Sequence, residues 1–589
     1  MSTATARVIP FPRERTTTPE AAPIHVTRQG PRPGEDLLCQ FVSGLYMDAA
    51  QARDRILPET SWETLPTGYW GDLWPAVLPS YKSPIVVNEL KRLILSELSD
   101  LTDMLPTVYI TGDPQTGQRD APLEQAIQAY WQRHCLDMTL LEVCADAAVW
   151  PCGFFEIVWD PLAAQGQGDV VVRARRPSTV YPDPYATDDT DWRYVIVREV
   201  MDVHEVRQRW PEHGWRVQPD VTSLADRGPL GESAPWQGRG AGMVSPMFPV
   251  SAPVPSQGLD TRVSVYTCYV QDTSTHVVPG SWADSQGVIH LQRLTRRTYP
   301  HGRMIQCTSQ TVLYDGPNVY KHGFPLVRLT LQPTLHSFWP RRSLVGELLE
   351  LQRATDKLES LILENALRMQ KAVWLVDAHA GIDPRTFADV PGQVILRTPG
   401  ANIEPIRPPA MPPDLLQHPE RLRTQMRTLM GQVGSRAGTP QPGNRSAELS
   451  ETEISQGMGL TRLHARFLHK ACMRLVEKLF ATMADFYTAP RLLPCCVEEG
   501  WKPVVWQPLL DRERYSVHID PNSFVVQSKT MVKRLALALA KMNKMPTEDL
   551  YRILEFPRGQ EIAARLHDEL QMAAMARQKQ GGGRRGGRR

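Results

Sequence analysis

At 589 residues and 42% hydrophobic content the chain is too long for one compact core, so we expect a protomer built of several parts. Its 66 Lys and Arg residues against 64 Asp and Glu give a net charge of only +2, which excludes a polycation that coats nucleic acid and leaves only local contacts to DNA. The nine cysteines lack metal-ligand spacing, and no apolar run approaches the roughly 20 residues of a membrane span. These features predict a soluble protein with reduced thiols, made in a reducing cytoplasm.

The first 150 residues are predicted to be mostly helical. Residues 1–35, rich in Pro, Thr and Arg, are typical of a disordered arm. Three helices follow, and Pro122 begins the third, which is predicted to continue unbroken to Val149. The apolar residues at helical spacing are Leu37, Phe41 and Leu45; Leu90, Leu93, Ile94 and Leu98; and Ile127, Trp131, Leu136, Leu140 and Val143.

A β-rich region begins at Gly153. The predicted strands are 153–159, its hairpin partner 170–172, and 194–200, and a second β region covers 263–331. Asp202 with Glu205 three residues later predicts the N-cap of a short helix. Residues 217–260, rich in Pro, Gly and Ser, read as a surface insertion. The whole predicts an α+β body.

Residues 341–488 carry the most informative pattern, which is a helix, a small β module, a second helix, a loop and a third helix. The first helix, 342–371, has apolar positions that step by four and three, as in a heptad seam. The seam consists of Leu344, Leu348, Leu351, Leu358, Ile362 and Met369, with Thr355 and Asn365 in the intervening positions. At about 1.5 Å per residue such a helix reaches about 45 Å, enough to line a channel or to brace a neighbouring subunit. An ordinary long core helix has the same pattern.

The remainder of this pattern is predicted to consist of extended strands, a helix, a loop and another helix. Residues 372–413 predict the β module, and Pro419 lies near the start of the second helix, whose Arg423 and Arg427 stand away from the centre of its apolar stripe. Residues 434–447 are too rich in Gly and Pro for regular structure and predict a mobile loop with Arg436 and Arg445. The apolar stripes are Leu422, Met426, Leu429 and Val433 in the second helix, and Leu460, Leu463, Phe467, Ala471, Leu475 and Leu479 in the third, which spans 448–488.

The C-terminal part is predicted to contain an extended segment at 517–526 and helices near 529–543, 547–555 and 558–578. The chain ends in GGGRRGGRR, whose four arginines stand on a glycine chain that cannot fold alone. This tail either touches DNA electrostatically or is simply solvated.

The sequence offers little for catalysis. It has no G-x-x-x-x-G-K-[ST] loop, no G-x-S-x-G, no H-E-x-x-H and no paired C-x-x-C, so we expect no cofactor and no enzymatic role. The acidic cluster Asp183, Asp188, Asp189 and Asp191 could in principle hold a divalent cation, but turn chemistry between strands explains it more simply, and we assign no metal. The 15 histidines are scattered, and His464 and His469 are five apart, off the spacing of a shared helix face.

Four segments in order resemble the portal proteins of tailed double-stranded DNA bacteriophages, particularly podovirus-like phages. They are VCADAAVWPCGFFEIVWDP, PSTVYPDPYATDDTDW, FPLVRLTLQPTLHSFWPRRSLVGELLELQRATDKLESLILENALRMQ and DPNSFVVQSKTMVKRLALALAKMNKMPTEDLYRILEFP. The resemblance spans about 36–578 and implies a ring, usually of twelve subunits, at one capsid vertex, with wing, stem, clip and crown regions around an axial DNA channel. It also implies that the protein is not itself an ATPase, in agreement with the missing nucleotide motif.

The resemblance divides the chain into regions. They are a disordered N-terminal arm at 1–35, a wing at 36–340, a first stem helix at 341–371, a clip at 372–413, a second stem helix at 414–434, a channel loop at 435–447, a long wing helix at 448–510, an α-helical crown at 511–578 and a disordered basic tail at 579–589. On this division we expect Arg423, Arg427, Arg436 and Arg445 to face the DNA channel. Modest positive charge around a ring would hold duplex DNA without sequence readout and without stalling it.

The implied partners are other copies of the chain, the large terminase subunit, tail adaptor proteins, and the major capsid and scaffolding proteins. The implied location is the portal vertex of the virion, after synthesis in the cytoplasm of a bacterial host. One alternative is a nucleic-acid-processing enzyme that uses the acidic cluster 183–191, although no second acidic or histidine motif supports it. Another is a different head component, such as a connector or minor capsid protein, but these are usually much shorter.

Overall fold

The computed structural model describes the helical and β regions of the chain and leaves several segments between them undescribed. Apart from a few single positions, the described residues are 34–57, 59–75, 82–103, 106–112, 119–220, 262–283, 289–370, 373–377, 402–406, 412–432, 458–497, 500–509, 514–519 and 529–542.

The helices of the described residues fall into an N-terminal group and a later group that includes two helices longer than 25 residues. The N-terminal group is α1 (Glu35–Ile56), α2 (Glu59–Trp70), α3 (Glu89–Thr102), α4 (Ala121–Arg133), α5 (Leu136–Val149) and α6 (Val203–Arg209). The later group is α7 (Leu344–Gln370), α8 (Pro413–Leu429), α9 (Gly459–Phe486) and α10 (Lys529–Lys541). The long α7 and the helix at 529–541 agree with the sequence prediction.

The strands pair antiparallel throughout the described residues, in the α+β arrangement predicted. The strands are β1 (Val108–Thr111), β2 (Gly153–Asp160), β3 (Asp169–Arg175), β4 (Val180–Pro182), β5 (Tyr194–Asp202), β6 (Arg262–Val270), β7 (Thr275–Ala283), β8 (Ile289–Arg297), β9 (Arg303–Cys307), β10 (Val312–Pro317), β11 (Leu326–Leu329), β12 (Val373–Val376), β13 (Ile403–Ile406), β14 (Arg491–Val497), β15 (Gly500–Trp506) and β16 (Ser516–Ile519). The larger sheets have the orders β10-β9-β6-β5-β4 and β11-β2-β3, and the pairs are β1-β16, β7-β8, β12-β13 and β14-β15. The predicted hairpin of β2 with β3 is confirmed, and within the predicted β module β12 pairs with β13, while most of the rest of 372–413 lies outside the described residues.

The largest core lies between the three-stranded sheet and a layer formed by α3, α5 and α9. Phe155, Ile157 and Val170 of the sheet are fully buried in it, together with leucines of all three helices. A second core, rich in aromatic residues, lies around Phe154 and Trp192, and α1 covers part of the five-stranded sheet in a third. The helices of the central pattern are therefore packed on the same body as the N-terminal helices.

The predicted single helix at 122–149 is wrong, because the chain breaks at His134 and Cys135 into α4 and α5. Cys135 has a φ of 47° and occupies the left-handed region, which ends one helix and redirects the next. Neither Gly nor Pro marks the break, so the sequence pattern gives no sign of it. The predicted apolar residues on both sides are nevertheless buried.

Two predicted apolar faces are also wrong in part. In α1 the side chains of Leu37 and Phe41 are 70% and 46% exposed, and the buried apolar positions are instead Cys39, Val42 and Ala49, which pack in the core beneath the five-stranded sheet. In the α9 stripe, Leu475 and Leu479 are buried but Leu460 and Leu463 are exposed. The first turns of α9 bury Thr461, His464 and Ala465 instead.

The α7 seam and the start of α8 also differ from the prediction. Leu344 and Leu348 are buried, whereas Met369 at the other end of α7 is exposed, so the seam is covered mainly in its first half. Helix α8 begins at Pro413, with Pro412 as N-cap, and Pro419 lies inside it as a buried residue. A proline without an N–H costs least in the first turn of a helix, and Pro413 supplies that position.

Several predictions fall on residues that lie outside the described part of the chain. They are the arm up to residue 33 apart from Gly30, most of the 217–260 insertion, the loop at 434–447 with Arg436 and Arg445, the helices near 547–555 and 558–578, and the basic tail.

Candidate functional site

A row of polar side chains on α7 binds the backbone of the extended segment that leads into α3. Gln352, Asp356 and Ser360 are four residues apart, lie on one face of the helix and are all buried. Gln352 Oε1 accepts the N–H of Leu90 at 3.2 Å, and its Nε2 donates to the carbonyl of Val87 at 2.7 Å. We call these three side chains the polar row.

The other two members of the polar row continue the same contact. Asp356 Oδ1 accepts the N–H of Val87 at 3.1 Å and that of the Gln352 amide at 2.9 Å, while Ser360 Oγ accepts the N–H of Ile85 at 2.9 Å. Burial raises the pKa of the Asp356 carboxyl, because its charged form is taken out of water. The row therefore fixes α7 against the start of α3 by hydrogen bonds rather than by apolar packing alone.

A chain of ion pairs attaches α8 to the same two helices. Its members are Arg92, Glu89, Arg427, Glu420, Arg423 and Glu359. The Nε atom of Arg427 lies 2.9 Å from Glu89 Oε1 on α3, and Nη2 of Arg423 lies 2.6 Å from Glu359 Oε1 on α7. Three positive and three negative charges cancel, and we call this group the ion-pair chain.

Two of the four arginines predicted for the channel, Arg423 and Arg427, are members of the ion-pair chain and are half-buried. Arg436 and Arg445 lie outside the described residues. The structure therefore brings the first two together against α3 and α7 of their own chain. Neighbouring Arg421 is exposed on the other side of α8.

Helix α3 also contacts the residues on both sides of 433–457. The Nε2 atom of Gln432, just after α8, donates to the carbonyl of Leu93 at 3.3 Å. One turn further along α3, Glu97 accepts a hydrogen bond from Thr461 Oγ1 at 3.0 Å and lies 2.9 Å from Nδ1 of His464, both in α9. The sequence analysis found no role for His464. Its spacing of three residues from Thr461, together with the acidic Glu97 among the leucines of α3, could have indicated this contact.

The acidic cluster at 183–191 is divided among separate structural roles. Asp183 binds the guanidinium of Arg193 through both oxygens, at 2.5 and 2.8 Å. Asp191 accepts the backbone N–H groups of Thr187 and Asp188 at 3.1 and 2.9 Å, which closes the turn. These two carboxylates therefore serve the turn itself.

The other two carboxylates of the cluster bind cations of α9 and β11. Asp188 accepts from Lys470 at 2.6 Å and from both Nη atoms of Arg474 at 3.0 Å, and Arg328 lies 3.1 Å away, while Asp189 pairs with Arg474. Burial alone would raise the pKa of Asp188, but Lys470, Arg328 and Arg474 outweigh it and hold that pKa below its ordinary value. The cluster thus joins the turn to α9. Over the described ranges, no group of three or more His, Cys, Asp or Glu side chains is arranged to hold a metal ion.

Neither a cleft with a nucleophile and base nor a membrane segment emerges from the described part of the chain. One cavity there, of about 500 Å³, is lined by Arg133, Asp169, Tyr487 and Arg491 among others, and Asp169 accepts the Tyr487 hydroxyl. No helix of the described residues is both long and apolar enough to cross a membrane. The polar contacts described above hold long helices to one another and to the sheets.

The comparison with protein families shows the family to which the chain belongs. The model of the phage P22-like portal protein family matches residues 77–581, which is most of the chain, and the chain belongs to this family. A search of curated proteins finds no match. The protein is therefore a structural component of the bacteriophage capsid vertex that acts as a conduit for DNA. Its family is non-enzymatic, and its members form oligomeric rings associated with the capsid and with packaging and tail partners.

Proposed function

We propose that twelve copies of this chain form the ring through which double-stranded DNA enters and leaves the capsid, and that the ring itself has no enzymatic activity. The family match over 77–581 carries this proposal. The large terminase subunit would dock on the ring during packaging and tail adaptors afterwards, while the major capsid and scaffolding proteins surround it. Synthesis would take place in the cytoplasm of the bacterial host.

Within each copy we assign α7 and α8 to the two stem helices and the β12-β13 pair to the clip. The order helix, strand pair, helix supports this assignment, since it places a small module between two helices that both bind α3, α7 through Gln352 and α8 through Arg427. Helix α9 would be the long wing helix. Because β16 pairs with β1 of the wing, we place the start of the crown after Ile519 rather than at 511.

We further propose that Arg423, Arg427, Arg436 and Arg445 line the DNA channel. For Arg423 and Arg427 the proposal includes a double role, because their guanidinium groups already bind Glu359 and Glu89. A cation whose charge is balanced within the wall attracts phosphate only weakly, which suits a surface on which DNA must slide.

Electron microscopy of the purified protein tests the ring. Negatively stained images should show particles with a central hole and twelve-fold symmetry. A preparation without holed rings at every salt concentration would refute the ring, and rings of another symmetry would refute only the number.

Replacing the arginines in pairs tests the channel. In heads assembled with R436A/R445A we expect a changed length of packaged DNA with intact rings, and in those with R423A/R427A a lower melting temperature as well, because the ion-pair chain is lost. R423K/R427K is the matched control that keeps the charge. If all four alanines together left ring assembly and packaged length unchanged, the channel role of these residues would be wrong.

A further inference from the structure

Two polar contacts on one face of α3 hold the end of α8 and the start of α9. The carbonyl of Leu93 accepts from Gln432, and the carboxylate of Glu97 binds Thr461 and His464. Residues four apart on a helix are neighbours on its surface, so the two anchoring points lie about one turn apart.

These contacts are strongly constrained because they are buried. Glu97 is 1% exposed, Thr461 0% and Gln432 2%. A buried polar group that loses its partner costs about 1–3 kcal/mol, and a buried charge costs more, so alternative positions of these side chains are disfavoured.

At the start of α9, polar side chains rather than the expected leucines face α3. Leu460 and Leu463 are 40% and 38% exposed, whereas Thr461 and His464 face Glu97. The first turns of α9 are therefore held to α3 by buried polar contacts in addition to the apolar packing of Ala465 and Leu468, whereas the second half of the helix is held by leucines buried in the main core.

We infer that Glu97 and the neighbouring carbonyl of Leu93 are positioning groups for the DNA conduit. They set the separation between the end of α8 and the start of α9, and so fix in every copy the two points from which the intervening chain extends. This inference rests on the proposed function, in which Arg436 and Arg445 of the intervening chain are assigned to the DNA channel. Glu97 does not itself touch DNA; it acts through Thr461 and His464.

Replacing Thr461 by valine tests the inference with minimal change of shape. T461V removes the hydroxyl that donates to Glu97, and T461S restores it. The matched control is T482V, because Thr482 lies in the same helix, is also 0% exposed and also loses a hydroxyl hydrogen bond, to the carbonyl of Lys478 at 2.7 Å. All three variants are compared in ring formation, melting temperature and the amount of full-length DNA packaged.

We expect T461V to form rings but to lose full-length packaged DNA, T461S to regain it, and T482V to package normally despite a similar change in melting temperature. Equal packaging by T461V and T482V would overturn the inference. If T461V formed no rings, E97M would replace it, since methionine keeps much of the length of the side chain but removes the charge and both acceptor oxygens; normal packaging by E97M rings would also overturn the inference. Failure of wild-type rings to appear at all would instead refute the proposed function.

Discussion

Replacement of Gln352 by leucine removes the central member of the polar row while keeping much of its volume. The glutamine is fully buried and joins three groups, the N–H of Leu90, the carbonyl of Val87 and the carboxylate of Asp356. Leucine can replace none of these hydrogen bonds. We expect the extended segment before α3 to detach more readily from α7.

The three lost bonds differ in cost. The N–H of Leu90 lies in the first turn of α3, where no helical acceptor exists, so it is left buried and unpaired at about 1–3 kcal/mol. The carbonyl of Val87 still accepts from Glu89 at 2.8 Å, and Asp356 Oδ1 still accepts from Val87. Those two losses cost only about 0.5–1.5 kcal/mol each, for about 4 kcal/mol in all.

Amide hydrogen exchange of peptides that cover 82–102 measures this local cost. A loss of about 4 kcal/mol corresponds to exchange faster by a factor on the order of 1,000. The control is Q332L, which removes a glutamine hydrogen bond to Glu347 at the surface and should leave exchange in this segment unchanged. Unchanged exchange in Q352L would refute the view that the polar row holds α3 to α7.

Three further changes test other contacts. Burial lowers the pKa of Lys478 from 10.5 to about 8, so between these pH values the unfolded chain binds a proton that the folded chain does not. The stability of the wild type relative to K478M, measured by thermal melts, should therefore rise from pH 8 to 10.5. A stability difference that does not change over this range would contradict the prediction. D188N should lower the free energy of unfolding by about 2 kcal/mol, because three cations lose their shared carboxylate. The pKa of Asp188 in the folded protein lies below 3.8, so the stability difference from the wild type should persist above pH 3.8 and fade as the pH drops through the folded pKa. A stability difference that stays constant in acid would count against this role of Asp188. G153A should destabilise the main core, because an added Cβ would collide with the carbonyl of Val143, and melting at the wild-type temperature would show that the contact relaxes freely.

Sequence patterns predicted elements best where an apolar period and a start or stop residue coincide. The hairpin of β2 and β3 was recognisable from β-branched and aromatic runs on either side of a Gly-rich turn, and α6 from its N-cap Asp202, whose side chain accepts the N–H of His204. Helix α7 was recognisable from its length and heptad spacing. In these segments local chemistry and tertiary packing favour the same structure.

The prediction failed where a polar residue takes the place of an apolar one in a helix face. Leucines at helical spacing in α9 were expected to be buried, but Thr461 and His464 are buried instead because Glu97 lies opposite them. The polar row of α7 was overlooked for the same reason, since Gln352 and Asp356 look like surface residues until the backbone that they bind is known. The spacing of apolar residues along a helix shows which residues share a face, but the element that packs against the helix decides which face is buried.

The roles of individual charges were the least predictable part of the candidate site. Arg423 and Arg427 are four apart on a polar helix face, a pattern compatible both with an open channel wall and with ion pairs to another helix. Their partners Glu359 and Glu89 are 64 and 338 residues away in the chain. Pairings over such separations leave no local trace in the sequence.

The pairing of β1 with β16 sets a condition on when a newly made chain becomes ready for assembly. Val108 lies opposite Ile519, so this sheet cannot form until nearly nine-tenths of the chain has left the ribosome. Contacts between distant parts of a chain are slow to form and leave earlier segments incomplete in the meantime. A truncated product that stops before this strand would lack one edge of its own body, so the cell would have a structural means of keeping unfinished subunits out of a ring in which every position must be filled.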